Sequence, residues 1–244
     1  MNIATRDLSY RDLETPLTSL FCWNEAQEGP RPGILLIHGG AGLDAHAREQ
    51  ACRDAALGYA VLACDMFGDG IAGDRERVMA CLLALRDDPG RLVRRGQAGL
   101  SALAGCPEAA GPAAAVGFCF GGMAALALAR AGTNLAGPAL AAVVSIHGSL
   151  ATSAPARPGA VTARILACHG AADPHVPPAD VAAFAAEMND AGADWQLVMY
   201  GRAQHGFTHR HAVPGAMPGV AYDRLADERS FAAVRAFLAE ALAP

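Results

Sequence analysis

Gly117-Phe118-Cys119-Phe120-Gly121-Gly122 stands between an apolar run, Ala113–Val116, and a run of helical character, Met123–Arg130. A glycine-framed cysteine at a strand-to-helix junction has the form of a nucleophile elbow, G-x-S-x-G, with sulfur in place of oxygen. The turn is tight. It needs backbone angles that side chains resist and leaves no room beside the nucleophile, so its neighbours are glycines. The sulfur of Cys119 then sits at a helix N-terminus, whose partial positive charge favours the thiolate.

Outward from this stretch, short apolar runs alternate with amphipathic ones. Strands are predicted at Leu17–Trp23, Gly33–Ile37, Tyr59–Cys64, Ala114–Phe118, Ala141–Ile146, Arg164–Cys168 and Trp195–Tyr200. The middle runs are continuously apolar, which predicts strands buried on both faces, as in a parallel sheet. Helices are predicted over Ala45–Leu57, stopped by Gly58, over 178–190, opened by Pro178, and over Tyr222–Leu242. The alternation predicts a doubly wound α/β fold, a mostly parallel sheet flanked by helices. No repeat and no dividing linker is seen, so residues 1–244 read as one domain.

The composition excludes several classes. Apolar residues make up 52% of the 244, enough for a large core, and the formal charge is −5 with no basic block. That argues against nucleic acid and anionic membranes as partners. No stretch of about 18 apolar residues, such as a membrane span needs, is read in the sequence. The segment Met1–Tyr10 is polar, without a signal-peptide core, so a cytoplasmic protein is expected. A homodimer is compatible with the sequence but not specified by it. The seven cysteines include no Cys-x-x-Cys pair. Cys22, Cys52, Cys64, Cys81, Cys106 and Cys168 read as small core hydrophobes, and the glycine frame sets Cys119 apart.

Ligands of such sheets bind beyond the carboxyl ends of the strands, where His38-Gly39-Gly40, Asp65, Cys119, His147, His169–Asp173 and His205 are expected. A thiol nucleophile needs a base and a group that orients the base. In this class the chain order is nucleophile, acid, histidine. Asp173 and His205 follow Cys119 in that order, each just past a predicted strand. Alone, an Asp before Pro is a common turn residue and a lone His a common surface residue; the joint order makes them a triad. The backbone N–H groups of Phe120 and Gly40 are the candidate oxyanion donors. His38 reads as structural. His147 either lines the pocket or ends a strand. A metal site at His205, His209 and His211 is disfavoured by the glycine of Gly206 and by Pro214 and Pro218, which argue against a helix there. No metal or other cofactor is expected.

Together these motifs resemble the dienelactone hydrolase family of α/β-hydrolases, nearly end to end. The landmarks are His38 with Gly42-Leu43-Asp44, Gly58-Tyr59, Asp65-Met66-Phe67-Gly68-Asp69-Gly70 and the elbow. They continue with His147-Gly148, His169-Gly170 with Asp173-Pro174, Tyr200 with His205-Gly206-Phe207-Thr208, and Tyr222-Asp223 with Ala226-Asp227. The resemblance implies an α/β-hydrolase fold without a separate cap domain. It implies a Cys-His-Asp triad, small-molecule ester or lactone substrates and no cofactor. Gly39, Phe67, His147 and Phe207 are the candidate pocket residues.

Three departures from the family matter. Gly39 stands where the family commonly carries a glutamate thought to pair with the resting thiol. Its absence suggests a standing Cys119 thiolate paired with His205. Gly40 replaces a larger side chain, which suggests a roomier pocket floor. Dienelactone hydrolase itself holds a substrate carboxylate with arginines, one of them shortly after the catalytic histidine. Thr208, His209, Arg210 and His211 occupy that stretch here, and the register leaves Arg210 unassigned. Two other readings remain. One keeps the triad and turns it on activated phosphotriesters. The other makes Cys119 a peroxide-sensing thiol, for which no resolving cysteine stands nearby. The segment Ile71–Leu85 is a candidate rim over the site.

Overall fold

The computed structural model describes residues 2–68, 71, 73–132, 138–212 and 215–243. Asp69, Gly70 and Pro214, all named above, lie outside them, as does Ala72 of the candidate rim.

The order of elements is β1 (Ile3–Asp12), β2 (Thr15–Asn24), β3 (Arg31–Ile37), α1 (Ala45–Ala55), β4 (Ala60–Cys64), α2 (Arg75–Arg86) and α3 (Pro89–Ala104). It continues with β5 (Ala109–Phe118), α4 (Phe120–Ala131), β6 (Leu140–Ile146), β7 (Arg164–Gly170), α5 (Pro178–Asp190), β8 (Trp195–Tyr200) and α6 (Arg224–Ala241). The strands form one eight-stranded sheet in the order β1-β2-β4-β3-β5-β6-β7-β8. From β4 to β8 every pairing is parallel, and β1 and β2 add an antiparallel hairpin at one edge. The sheet is therefore doubly wound and mostly parallel, as the alternation predicts.

The continuously apolar runs become the buried strands. All five residues of β4 are buried, and so are Gly33–Ile37 of β3. One core layer packs the sheet against α3, α4 and α5 through Leu100, Leu128 and Phe184. The other packs it against α1 and α6 through Ala47, Ala51, Val234 and Leu238. Burial on both faces is what selects unbroken apolar strands over alternating ones.

Three elements are absent from the sequence reading. β1 is an edge strand whose side chains alternate between half-buried and exposed, so it lacks the apolar run that marks its neighbours. Its last residue, Asp12, is buried and accepts from Arg94 (3.0 Å) and Arg95 (2.8 Å). Arg95 in turn donates to the Met66 carbonyl at 2.7 Å, which ties the hairpin to the loop after β4. The helices α2 and α3 open on Asp74 and Asp88, whose side chains cap the Arg77 and Arg91 amides at 3.1 and 2.9 Å. α2 buries only Val78 and Leu85, too few to give a strong apolar stripe. β7 runs two residues past Cys168, so His169 lies inside the strand and is buried. The last helix begins at Arg224, with Asp223 as its cap. Among the described residues no helix is long and apolar enough to cross a membrane.

Candidate active site

Parallel strands deliver their carboxyl ends to one edge, and a cavity of about 450 Å³ opens there. Cys119 lies at its floor with φ +53°, ψ −115°, between Phe118, which closes β5, and α4. A non-glycine residue in this region is strained and persists only where its surroundings hold it. The glycines do so by allowing close approach. A methyl group on Gly117 would overlap the Gly121 carbonyl and lie 2.7 Å from the Gly122 nitrogen. One on Gly121 would overlap the Ile37 carbonyl oxygen and lie 2.6 Å from that of His38.

The loops after β7 and β8 are stitched together. Ala171 N–H donates to the Tyr200 carbonyl and Ala172 N–H to that of Ala203, both at 3.0 Å. His205 is further pinned by its N–H to Gly219 (3.0 Å) and its carbonyl to the Ala221 N–H (3.1 Å). This brings Asp173 and His205 together across 32 residues: His205 Nδ1–H donates to Asp173 Oδ2 at 2.8 Å. His205 Nε2 lies 3.0 Å from Cys119 Sγ. The second carboxylate oxygen of Asp173 accepts from the His175 N–H at 2.8 Å.

The electrostatics follow from these contacts. Burial alone would raise the Cys119 pKa. The hydrogen bond and positive charge of His205, with the backbone N–H groups of Gly40 and Phe120, outweigh it and bring the thiol below its ordinary value. Burial alone would lower His205, but its bonds to Asp173 and Cys119 raise it to about 10. Asp173 is likewise pushed up by burial and pulled below the ordinary value by His205. Both shifts favour a thiolate beside an imidazolium. Cys22, Cys64 and Cys168, by contrast, are pushed up to about 12 by burial, and Cys119 alone of the seven cysteines lines the cavity.

His147 does both things the sequence allows: it follows β6 with φ +41° and lines the cavity. Its Nδ1 accepts from the Cys119 N–H at 3.2 Å, so its proton is on Nε2, which donates to Thr208 Oγ1 at 2.8 Å. The Thr208 hydroxyl then donates to His46 Nε2 at 3.1 Å. This buried chain joins the elbow to the loop that carries His205. Burial first, then the charge of His205, holds the His147 pKa well below its ordinary value.

The remaining candidates divide. Gly39 and Gly40 line the cavity. An added methyl at Gly39 would meet Cys119 Cβ at 3.6 Å, ordinary contact, whereas one at Gly40 would press on Leu82 at 3.2 Å. Phe67 and Phe207 do not line it. Phe67 packs behind the loop after β3, on His38 and Phe120, with ring centroids 4.6 and 5.4 Å away. Phe207 is fully buried between His147 and Tyr200. Both are buried in the core, although Phe207 stands two residues from His205 in the chain. His38 is structural: Nδ1–H donates to the Gly39 carbonyl (2.7 Å) and Nε2 accepts from the Met66 N–H (3.1 Å). Asp65 holds its own turn, accepting from Phe67 and Gly68 N–H. Arg210 faces Asp227 at 3.5 Å and does not line the cavity. The rim segment contributes Met79 and Leu82 of α2, and the loop before α6 contributes Met217 and Val220. His46, His175 and His209 are also in the wall; of these, His175 stands two residues from Asp173, a nearness legible in the sequence.

The profile of the dienelactone hydrolase family matches residues 20–242. A solved structure described as m3DLH is 37% identical, with 99% of each chain covered and a TM-score of 0.90. A dienelactone hydrolase-like promiscuous phosphotriesterase from metagenomic libraries is 36% identical, covering 98% of this chain and 99% of its own, with a TM-score of 0.88. An uncharacterized protein of Caenorhabditis elegans, K02A2.1, is 36% identical over 163 residues, 64% of this chain and 98% of that protein. The family match starts inside β2 and runs one residue past α6, so the chain belongs to the dienelactone hydrolase family and is a hydrolase acting on ester bonds.

Proposed function

We propose that the chain hydrolyses carboxylic esters or lactones through a thioester on Cys119, with His205 as acid and base and Asp173 orienting His205. The supporting observation is the line from Sγ to His205 Nε2 (3.0 Å) and on to Asp173 (2.8 Å) at the floor of a cavity. The thiolate attacks the carbonyl carbon, and the carbonyl π pair moves to oxygen. The N–H groups of Phe120 and Gly40 stabilise that oxyanion. The oxyanion collapses, the C–O bond breaks, and imidazolium gives its proton to the leaving alkoxide. Neutral His205 then takes a proton from water, hydroxide attacks the thioester, and thiolate and imidazolium return with the carboxylic acid. A lactone keeps its alcohol attached and leaves as a hydroxy acid. The same reading takes residues 1–244 as one domain, since one sheet draws strands from Ile3 to Tyr200.

A second reading adds activated phosphotriesters. It is supported by the 36% identity to the promiscuous phosphotriesterase and by Gly39, which lines the cavity beside Cys119 without a side chain. Sulfur would attack phosphorus and expel an aryloxide, and water would then cleave the P–S bond. A panel of p-nitrophenyl esters, lactones and a dialkyl aryl phosphate separates the readings. Turnover of the esters or lactones is expected. Repeated release of aryloxide supports phosphotriesterase activity; a single stoichiometric burst with lasting inactivation rejects it.

The standing ion pair has a pH signature. An ordinary thiol, pKa near 8.5, loses thiolate about tenfold per unit below that value. The Cys119 pKa is lowered and His205 is raised to about 10, so the thiolate persists to lower pH than that of an ordinary thiol and is lost as pH falls through the lowered thiol pKa. Iodoacetamide alkylation is therefore expected to fall much less between pH 8 and 6 than in a variant without the imidazolium. In His205→Asn it should fall by roughly eightyfold over the same range. Equal pH dependence in the two proteins would refute the ion pair.

A further inference from the structure

We infer that the cavity selects neutral, apolar esters and rejects substrates that carry a carboxylate. This deepens the function proposed above and rests on it. All 19 basic side chains of the chain are arginines, and none lines the cavity. The residues outside the described set include no arginine either. Of the two arginines flanking the catalytic histidine in sequence, Arg202 does not line the cavity and Arg210 is engaged by the buried Asp227. The carboxylate in the wall, Asp44, accepts from the Ala47 N–H at 3.0 Å and has the wrong sign for an anion.

The imidazoles do not replace the missing cation. Burial brings His46 down to about 4, so it is neutral at pH 7, and His147 is held neutral as described. His209 Nε2 faces Asp44 at 3.4 Å and its Nδ1 is buried. His175 Nε2–H donates to the Pro218 carbonyl at 3.1 Å. The imidazolium of His205 is compensated by the Cys119 thiolate and Asp173. A carboxylate entering here would lose its water and find no partner, which strongly disfavours it.

Two apolar jaws face the opening instead. Met79 and Leu82 stand one helical turn apart on α2, and Met217 and Val220 lie on the loop before α6. Met79 and Met217 are 48% and 55% exposed, unusual for large apolar side chains and suited to covering an apolar acyl or aryl group. Their flexible thioethers adapt to more than one shape. The cavity of about 450 Å³ falls in the range of small-molecule sites.

The test compares 4-butyryloxybenzoate with its methyl ester, each rate divided by its uncatalysed hydrolysis. The two differ at the para group only by one negative charge and a methyl. The neutral ester is expected to be preferred in kcat/KM by at least about thirtyfold. Met79→Arg and Met217→Arg, both at exposed positions and checked for folding by thermal unfolding, are each expected to narrow that ratio to about fivefold or less. Equal use of the two esters by the wild type, or a ratio unmoved by both arginines, overturns the inference. Cys119→Ala is run in parallel. Loss of both activities there means the failure concerns selectivity alone, whereas wild-type rates in that variant overturn the parent mechanism and this inference with it.

Discussion

Cys119→Ala is expected to lower kcat/KM for a p-nitrophenyl ester by at least about a thousandfold, with the fold intact. The size follows from what is removed. Without sulfur there is no acyl-enzyme, and the two oxyanion N–H groups and the cavity can only assist direct attack by water. The side chain packs at the cavity floor with no capping bond to α4, so its loss leaves helix and strand as they are. Thermal unfolding should move little, since alanine keeps the Cβ and with it the strain at φ +53°. Cys119→Ser is the sharper companion. The alkoxide of serine is far less accessible than a thiolate, and the His205 pair that lowers the thiol pKa cannot hold a serine ionised. It should retain a small residual rate above that of alanine. Ester hydrolysis persisting at wild-type levels in Cys119→Ala would remove the triad from the mechanism.

Gly121→Ala is expected to destabilise the protein by about 3 kcal/mol or more, roughly 6–12 °C in Tm for a chain of this size, or to prevent soluble expression. The added methyl would overlap the carbonyl of Ile37 and crowd that of His38. Both are backbone groups of β3 and the loop after it. Neither can rotate away, so α4 must move off the sheet, and Gly117, which meets Gly121 from the other side, must move with it. Activity should fall with stability, because the same displacement shifts Phe120 and Gly40. Gly201→Ala is the control: it has no atom within 4 Å of the added methyl and no left-handed φ. It is expected to lie within about 1 kcal/mol of wild type. If Gly121→Ala melts with the Gly201 control, close packing does not hold the elbow.

The sheet was largely legible because its central strands are buried on both faces and therefore apolar without interruption. β1 escaped because an edge strand needs only one covered face, and Arg6, Asp7 and Arg11 break its pattern. The chain order of Cys119, Asp173 and His205 was legible because each follows a strand. The cavity wall was legible in part: Gly39, His147 and the rim segment with Met79 and Leu82 line it, whereas Phe67 and Phe207 do not. Both of these rings are buried in the core, although Phe207 stands two residues from His205 in the chain. The wall is built from Met79, Leu82, Met217 and Val220, which only the folded sheet edge brings together. The chain from His147 through Thr208 to His46 spans 61 and 162 residues, and no local pattern announces such a pairing. The capping aspartates Asp74 and Asp88, the latter followed by Pro89, were a local signal for α2 and α3.

The most direct test of the account is the mass of the enzyme acid-quenched within the first turnovers of p-nitrophenyl butyrate, followed by peptide mapping. One butyryl group on Cys119, removed by neutral hydroxylamine and absent in Cys119→Ala, is the expected result. Burst release of nitrophenolate with Cys119 unmodified, or with the acyl group on another residue, would contradict it.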